Sequence, residues 1–121
     1  MFLIRNDANG KSALSAEKHL EFVKQCEVYI GILKKEERLI AAQPLVREGI
    51  IISRSQNAWK ETPFNPNSEV QVGYYHILAK DLDEAIAIAK DNPEFHFVPG
   101  ASIEVRPIKM KEEQTKFVYP K

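Results

Sequence analysis

The sequence of 121 residues predicts one α+β domain, in which two helices cover one face of an antiparallel sheet. Three observations lead to this prediction. Two segments carry apolar residues at the three- and four-residue spacing of amphipathic helices, several short segments alternate or run apolar as strands do, and turn residues separate them. At this length a hydrophobic content of 44% can form a core without disulfides, which agrees with the single cysteine.

The first part of the chain predicts a strand, a long helix and an extended segment. Residues 2–5 are a short apolar run that ends in turn residues. Ser15 offers an N-cap for an amphipathic helix of about five turns. Residues 39–46 contain Pro44 and predict an edge strand or an irregular extended segment. The predicted buried stripe of the helix consists of Leu20, Val23, Cys26, Ile30 and Leu33, with Phe22 and Tyr29 beside it.

The middle of the chain predicts a hairpin, a loop and a central strand. Residues 49–53 contain three consecutive isoleucines, and residues 58–60 form a plausible returning strand. Residues 62–68 contain two prolines and predict a loop, with Phe64 as its hydrophobic anchor. In residues 70–79, the side chains that would point to either face of a strand include apolar ones, so we expect both faces of this strand to be covered.

The second helix is predicted from its cap and its spacing. Asp81 and Glu84 form a capping box, and an Asn-Pro pair at residues 92–93 stops the helix. Its predicted buried stripe consists of Leu82, Ala85, Ile86 and Ala89.

A last strand and a tail complete the chain. Within residues 102–108, Ile103 and Val105 alternate with polar residues, which is typical of a half-buried strand. The sequence therefore predicts a single domain at residues 1–108, followed by a charged tail at residues 109–121.

The order of these elements describes a ferredoxin-like split β-α-β sandwich. Both helices cover one face of its antiparallel sheet, and the opposite face then exposes a broad mixed patch that includes Tyr74 and Leu78. A second subunit laid sheet against sheet covers such a patch. We therefore predict a homodimer.

The balance of charge excludes several classes of partner. The 17 Lys and Arg residues equal the 17 Asp and Glu residues, so the chain lacks the positive field that holds proteins on nucleic acids or anionic membranes. No apolar run approaches the roughly 20 residues of a membrane span, and the apolar residues at the start are too few for a signal peptide. We expect a cytoplasmic protein that binds neither nucleic acid nor membrane.

Four segments, taken in order, resemble the YCII-related, or DGPF-domain, family. They are residues 61–64 (ETPF), 69–75 (EVQVGYY), 82–85 (LDEA) and 102–108 (SIEVRPI). His19 and Leu20 are similar to a helical His-Leu pair of the family, and Leu45 lies in its apolar segment after the first helix. The resemblance covers nearly the whole chain except the tail. It implies a ferredoxin-like dimeric α+β barrel and a small-molecule enzyme role through a histidine and an acidic residue that line a cleft.

The chain departs from the family pattern at two points. The family's Asp-Gly-Pro-Phe is here Glu-Thr-Pro-Phe. The change keeps a carboxylate on a longer side chain and removes the conformational freedom of the glycine. Gly73 stands alone where many relatives carry a glycine pair. The geometry of the loop after residue 61 therefore differs from the family's if that loop carries chemistry.

Two residues are candidates for catalysis. His19 shares a helix face with Phe22, Val23 and Cys26, and a helix N-terminus favours the neutral ring that a general base needs. The alternative is a partly buried histidine that is bonded to a loop carbonyl. Glu61 could orient a group or receive protons, as the resemblance implies, and the alternative is a solvated loop acid.

A polar cluster on the sheet is the candidate for binding. Its predicted members are Arg5, His76, Glu104 and Arg106, on the face that the dimer covers, with Glu104 compensating the arginines and Tyr74 beside them. One hypothesis is a structural ion-pair network, and the other is a pocket for an anionic substrate. Tyr74 and Tyr75 point to opposite faces, so at most one of them lines a given pocket.

No metal or cofactor is predicted. The three histidines are scattered, the single Cys26 fits a buried inert thiol, and no glycine-rich phosphate loop is present. Two functions stay open. One is proton-transfer chemistry, as in a lyase or isomerase, on a small organic molecule, and the other is a non-catalytic dimeric module that binds a ligand or another protein.

Overall fold

The computed structural model describes residues 1–6, 14–46, 48–63 and 70–120. Along the chain its elements are β1 (Phe2–Asn6), α1 (Ala16–Lys35), β2 (Leu39–Pro44), β3 (Ile50–Ser55), β4 (Ala58–Pro63), β5 (Val70–Ile77), α2 (Leu82–Lys90), the short helix α3 (Glu94–Phe97) and β6 (Ser102–Val105). The predicted strands and two long helices all have counterparts among these elements, and α3 was not expected.

Four strands form the main sheet, in the order β2-β5-β1-β6, and every neighbouring pair is antiparallel. Strands β3 and β4 form a separate two-stranded antiparallel sheet. This arrangement confirms the predicted α+β class with antiparallel sheets. It also confirms that β2 lies at a sheet edge, where Pro44 costs no interior hydrogen bond.

Both long helices pack on the same face of the main sheet. Phe2 and Ile4 of β1 are 0% and 2% exposed, and α1 and α2 contribute buried side chains to the same cluster. Burial of apolar surface in this layer is the main force that holds the helices on the sheet. The buried cluster consists of Phe2, Ile4, Tyr29, Leu33, Val72, Tyr75, Ile77 and Ala89.

Helix α1 begins where the sequence predicted, but it buries a different face. The Ser15 hydroxyl accepts a hydrogen bond from the Lys18 N–H at 3.1 Å, which confirms the N-cap. The buried residues of α1 are Phe22, Tyr29 and Leu33. Leu20 and Val23, predicted to be buried, are 55% and 38% exposed. The spacing of seven and four residues places the two large rings and Leu33 on one line, and Leu20 and Val23 fall on its flank.

Helix α2 has the predicted N-cap, but the Glu84 side chain bonds to the Lys80 N–H instead of the Asp81 N–H. The Asp81 carboxylate accepts a hydrogen bond from the Glu84 N–H at 2.8 Å. The Glu84 carboxylate accepts from the Lys80 N–H at 3.3 Å and pairs with Arg38 at 2.9 Å, which ties α2 to the segment between α1 and β2. Leu82 is 48% exposed, so its predicted place in the buried stripe is wrong, because the first turn of α2 extends beyond the core.

Strand β5 is covered on one face within the described part of this chain, and cover of its other face by a second subunit stays a prediction. Val72, Tyr75 and Ile77 are buried, whereas Tyr74 and His76 are half-buried on the other side. A register shift in the pairing with β1 occurs next to Gly73. A Cβ at this glycine would lie 3.1 Å from the carbonyl oxygen of Gln43, so the glycine permits the close approach of β2.

The predicted hairpin is confirmed as β3 and β4. Gln56 and Asn57 form its two-residue turn with φ angles of 50° and 64°, the left-handed conformation that matches the twist of paired strands. Residues of both strands are exposed throughout. Thr62 and Pro63 belong to β4 and not to a loop, whereas the predicted anchor Phe64 lies outside the described residues.

The tail folds back on itself as a small turn. Lys111 and Val118 form an antiparallel bridge, and the Tyr119 N–H donates to the Met110 carbonyl at 2.9 Å. The Tyr119 hydroxyl also bonds to the Glu112 carboxylate. Within the ranges that the structure describes, none of the helices is both long enough and apolar enough to cross a membrane.

Candidate functional site

A cavity of about 360 Å³ lies between α1 and the edge of the sheet formed by β2 and β5. We call it the α1 cavity. Its walls are mainly apolar side chains of the helix and the sheet, and a few polar groups interrupt them. The lining residues used below are His19, Phe22, Val23, Cys26, Tyr75 and Glu94.

His19 reaches this cavity from the first turns of α1. Its backbone N–H donates to the Ser15 carbonyl at 2.8 Å, so the residue is held in the capped turn. Its ring is exposed, and the ring centroid lies 6.4 Å from that of Phe22. Three residues were predicted to lie beside His19 on the helix, and all three line the same cavity. They are Phe22, Val23 and Cys26. Spacings of three, four and seven residues along α1 bring these four residues together.

Glu94 supplies a carboxylate that sequence reasoning missed. It is the first residue of α3, is half-buried and lines the α1 cavity. The Asn92 side-chain oxygen accepts a hydrogen bond from the Glu94 N–H at 2.9 Å and so fixes the start of the short helix. The available signal was the Asn92-Pro93 pair, because asparagine before proline begins helices as well as ending them.

Two buried phenols lie next to each other at the α1 cavity, and only Tyr75 lines it. The rings of Tyr29 and Tyr75 meet edge to face with centroids 5.7 Å apart, and the Tyr29 hydroxyl donates to the Ile88 carbonyl at 2.7 Å. Burial raises the pKa of Tyr75 well above its ordinary value, and Cys26 and Glu94 raise it further. Burial likewise raises the pKa of Tyr29. Both phenols are therefore neutral at physiological pH, and the Tyr29 hydroxyl uses its proton in the bond to Ile88.

Asn92 acts on both phenols. It is completely buried, and its amide lowers the pKa of Tyr29 and of Tyr75, which opposes part of the effect of burial. Its amide nitrogen has no partner of good hydrogen-bond geometry in the described part of the chain.

Cys26 borders the α1 cavity instead of lying deep in the core. It is half-buried and is not part of a disulfide. The thiol that was predicted to be buried is therefore only half-buried, because the buried line of α1 passes through Phe22 and Tyr29 and leaves Cys26 at the cavity wall.

Glu61 lies apart from His19. It belongs to β4 and not to a loop, and its residue partner across the hairpin is Ile52. Its side chain is exposed and does not belong to the lining of the α1 cavity in the described ranges. The structure therefore does not bring the two predicted catalytic residues together within one chain.

The predicted binding residues lie on the face of the main sheet opposite the helices, which we call the open face. Leu3 lies opposite Tyr74 on one side and Glu104 on the other, and Arg5 lies opposite Ser102. Arg5 and Glu104 are therefore diagonal neighbours on adjacent strands. The open face is defined by Leu3, Arg5, Tyr74, His76, Glu104 and Arg106.

Arg106 extends the open face beyond the end of β6. Its backbone N–H donates to the Met1 carbonyl at 3.0 Å, which continues the pairing with β1. Arg106 and His76 also line a second cavity of about 360 Å³, next to Leu78 and Met110. Among the described residues, the side chains of Glu104 and Arg106 form no ion pair. The predicted compensation between them is not made within one chain.

No family model matches this chain, and comparison with curated proteins finds no match either. The functional conclusion consequently depends on the geometry of the site and on the residues that line it.

Proposed function

We propose that this protein binds a small organic molecule in the α1 cavity and transfers a proton to or from it through His19. The observation that carries the proposal is that an exposed imidazole and a half-buried carboxylate, those of His19 and Glu94, line one mainly apolar cavity. Cavities of roughly 300–1,000 Å³ with few polar groups on apolar walls are typical of small-molecule sites. Imidazole is the side-chain group that most often serves as a general acid or base in proton transfer.

The surroundings of each side chain support a separate role. Phe22 and Val23 provide apolar wall for a ring or a short chain. Tyr75 is a neutral phenol that can donate a hydrogen bond, and Glu94 can hold a hydroxyl or cationic group of the ligand. In this proposal Glu94 takes the place that the sequence prediction gave to Glu61 as the acidic partner of His19.

The fold supports a more specific assignment. The strand order β2-β5-β1-β6, with both long helices on one face, is the order expected of a ferredoxin-like split β-α-β domain. Together with the four resembling sequence segments, it supports our proposal that the chain is a YCII-related protein. The cytoplasmic location stays a prediction from the sequence.

The open face favours a second function, that of a homodimeric interaction module. Leu3 and Tyr74 are half-buried there among charged side chains, and none of the helices in the described ranges packs on this side. Mixed patches of this kind are typical of surfaces that pair with another protein. We therefore propose that two copies associate through the open face, whether or not the α1 cavity supports chemistry.

Backbone-amide NMR with a set of one-ring aromatic acids, phenols and ketones tests the ligand site. We expect binding compounds to shift the amides of Val23 and Gly73, which line the α1 cavity. His19→Gln should weaken that response, whereas His76→Gln on the open face is the matched control and should leave it unchanged. Amide shifts that cluster on the open face would contradict the proposal. So would the absence of amide shifts with every compound of the set.

The same compounds distinguish an enzyme from a binding module. In D₂O, proton transfer through His19 exchanges an acidic C–H of a bound ketone for C–D, which proton NMR detects as loss of signal. We expect this exchange in the wild-type protein and not in His19→Gln. Binding without exchange would favour the non-catalytic module.

A further inference from the structure

The hairpin of β3 and β4 presents an apolar face to solvent. Residues directly opposite each other in a hairpin share a face, and three such pairs lie on this one. Ile50, Ile52 and Trp59 of these pairs are 61%, 63% and 69% exposed. We call this the arm face, and its pairs are Ile50 with Pro63, Ile52 with Glu61, and Arg54 with Trp59.

The other face of the hairpin is mainly polar. Its pairs are Ile51 with Thr62, Ser53 with Lys60, and Ser55 with Ala58. The hairpin is thus amphipathic in the way of a sheet that packs on one side only. An amphipathic element whose apolar side remains in water indicates a partner surface.

The hairpin is preformed, but its own contacts give it little stability. Its turn is set by Gln56 and Asn57, and the Arg54 guanidinium lies over the Trp59 ring at 5.1 Å from the centroid. An isolated two-stranded hairpin is at best marginally stable in water. Since β3 and β4 pair only with each other among the described strands, packing on another surface would have to supply the missing stability.

The open face of a second copy has the complementary charge. It carries Arg5 and Arg106 against the single acid Glu104, so the cations are in excess. The arm face carries Glu61 between its apolar side chains, while its only cation, Arg54, is already stacked on Trp59. Neither Glu61 nor Arg106 has an ion-pair partner within the described ranges.

The area also suits a symmetric dimer. Ile50, Ile52 and Trp59 can each bury on the order of 100 Å² more. Two arms, each covering about the same area on the partner, then remove roughly 1,200 Å² from water, which reaches the size of a specific interface. A single arm on an unrelated protein would bury about half of that.

We propose that the β3–β4 hairpin is a dimerisation arm that lies on the open face of a second copy of this chain, with Glu61 pairing with the partner's Arg106. Each copy gives one arm and receives one, as two-fold symmetry requires. The inference rests on the homodimer proposed above and is independent of the ligand in the α1 cavity. It gives Glu61 a role in association, separate from any role of His19. Glu61 lies in β4, whereas His19 lies in α1.

Sedimentation equilibrium of charge-swapped variants tests the pairing. Glu61→Arg and Arg106→Glu should each raise the dimer dissociation constant at least tenfold, because each places like charges together. The double variant should recover most of the affinity. Lys60→Glu, on the polar face of the same strand, is the matched control and should leave the dimer unchanged.

The outcomes separate the two proposals. A wild-type dimer that neither single swap weakens would overturn the arm and leave the homodimer intact, whereas a wild-type monomer at micromolar concentration would overturn both. Trp59 is the only tryptophan, so its fluorescence gives a second readout without any variant. We expect iodide to quench it less at dimer concentrations than after dilution, and equal quenching would also overturn the arm.

Discussion

At the scale of single residues, the two buried tyrosines make the free energy of unfolding fall at alkaline pH. Burial raises the pKa of Tyr29 and Tyr75 above the ordinary value of 10.0. The folded protein therefore keeps protons that the unfolded chain releases above about pH 10. Their contribution to the free energy of unfolding is complete below that pH and is lost as the pH rises further.

The measurement is urea unfolding at several pH values between 9 and 12. We expect the free energy of unfolding to fall above about pH 10. The ionisation of Tyr29 and Tyr75, measured as the part of the absorbance change that their double phenylalanine variant lacks, should coincide with loss of structure. A variant with Tyr29→Phe and Tyr75→Phe should show a smaller fall. An equally steep fall in that variant would mean that other groups cause the alkaline sensitivity.

The sequence predicted part of the site at this scale. Helical spacing placed His19 with Phe22 and Cys26, because the positions on one face of a helix follow from its period alone. Glu94 could not be predicted in the same way. Its place in the α1 cavity depends on where α3 docks, which is a contact between segments far apart in the chain.

At the scale of elements, the sequence predicted where α1 lies but not which face it buries. The apolar residues of α1 cover more than one stripe, so periodicity alone allowed Leu20 and Val23 as well as Phe22 and Leu33. Contact with the sheet decides between these stripes. The hairpin shows the same limit of sequence-based prediction. The isoleucine run and the turn predicted its two strands, but local sequence could not predict that both strands remain exposed.

A pair of leucines in α1 tests the buried face. Leu33 is 4% exposed and Leu20 is 55% exposed. Leu33→Ala should lower the free energy of unfolding by about 2–5 kcal/mol, since it leaves a cavity in the core. Leu20→Ala is the matched control and should change it by about 0.5 kcal/mol or less. Urea denaturation measures both, and equal effects would contradict the orientation of α1.

At the scale of the whole molecule, the α1 cavity and the open face lie on opposite sides of one sheet. Alternation along β1 and β5 produces this division, because Phe2, Ile4 and Tyr75 point to the helices while Leu3 and Tyr74 point away. The alternating pattern of the sequence predicted it. Ligand binding and association therefore use separate surfaces, and a change on one surface can be studied while the other stays intact.

The central claim is that the α1 cavity holds the ligand, and the reactivity of Cys26 tests it most directly. Cys26 is the only cysteine and lines that cavity, so alkylation by iodoacetamide reports on access to the site. The probe is a ring compound found to bind in the NMR experiment. We predict that saturating amounts slow the alkylation of the folded protein at least fivefold and leave the rate of the urea-unfolded chain unchanged. An unchanged rate in the folded, saturated protein would contradict the account.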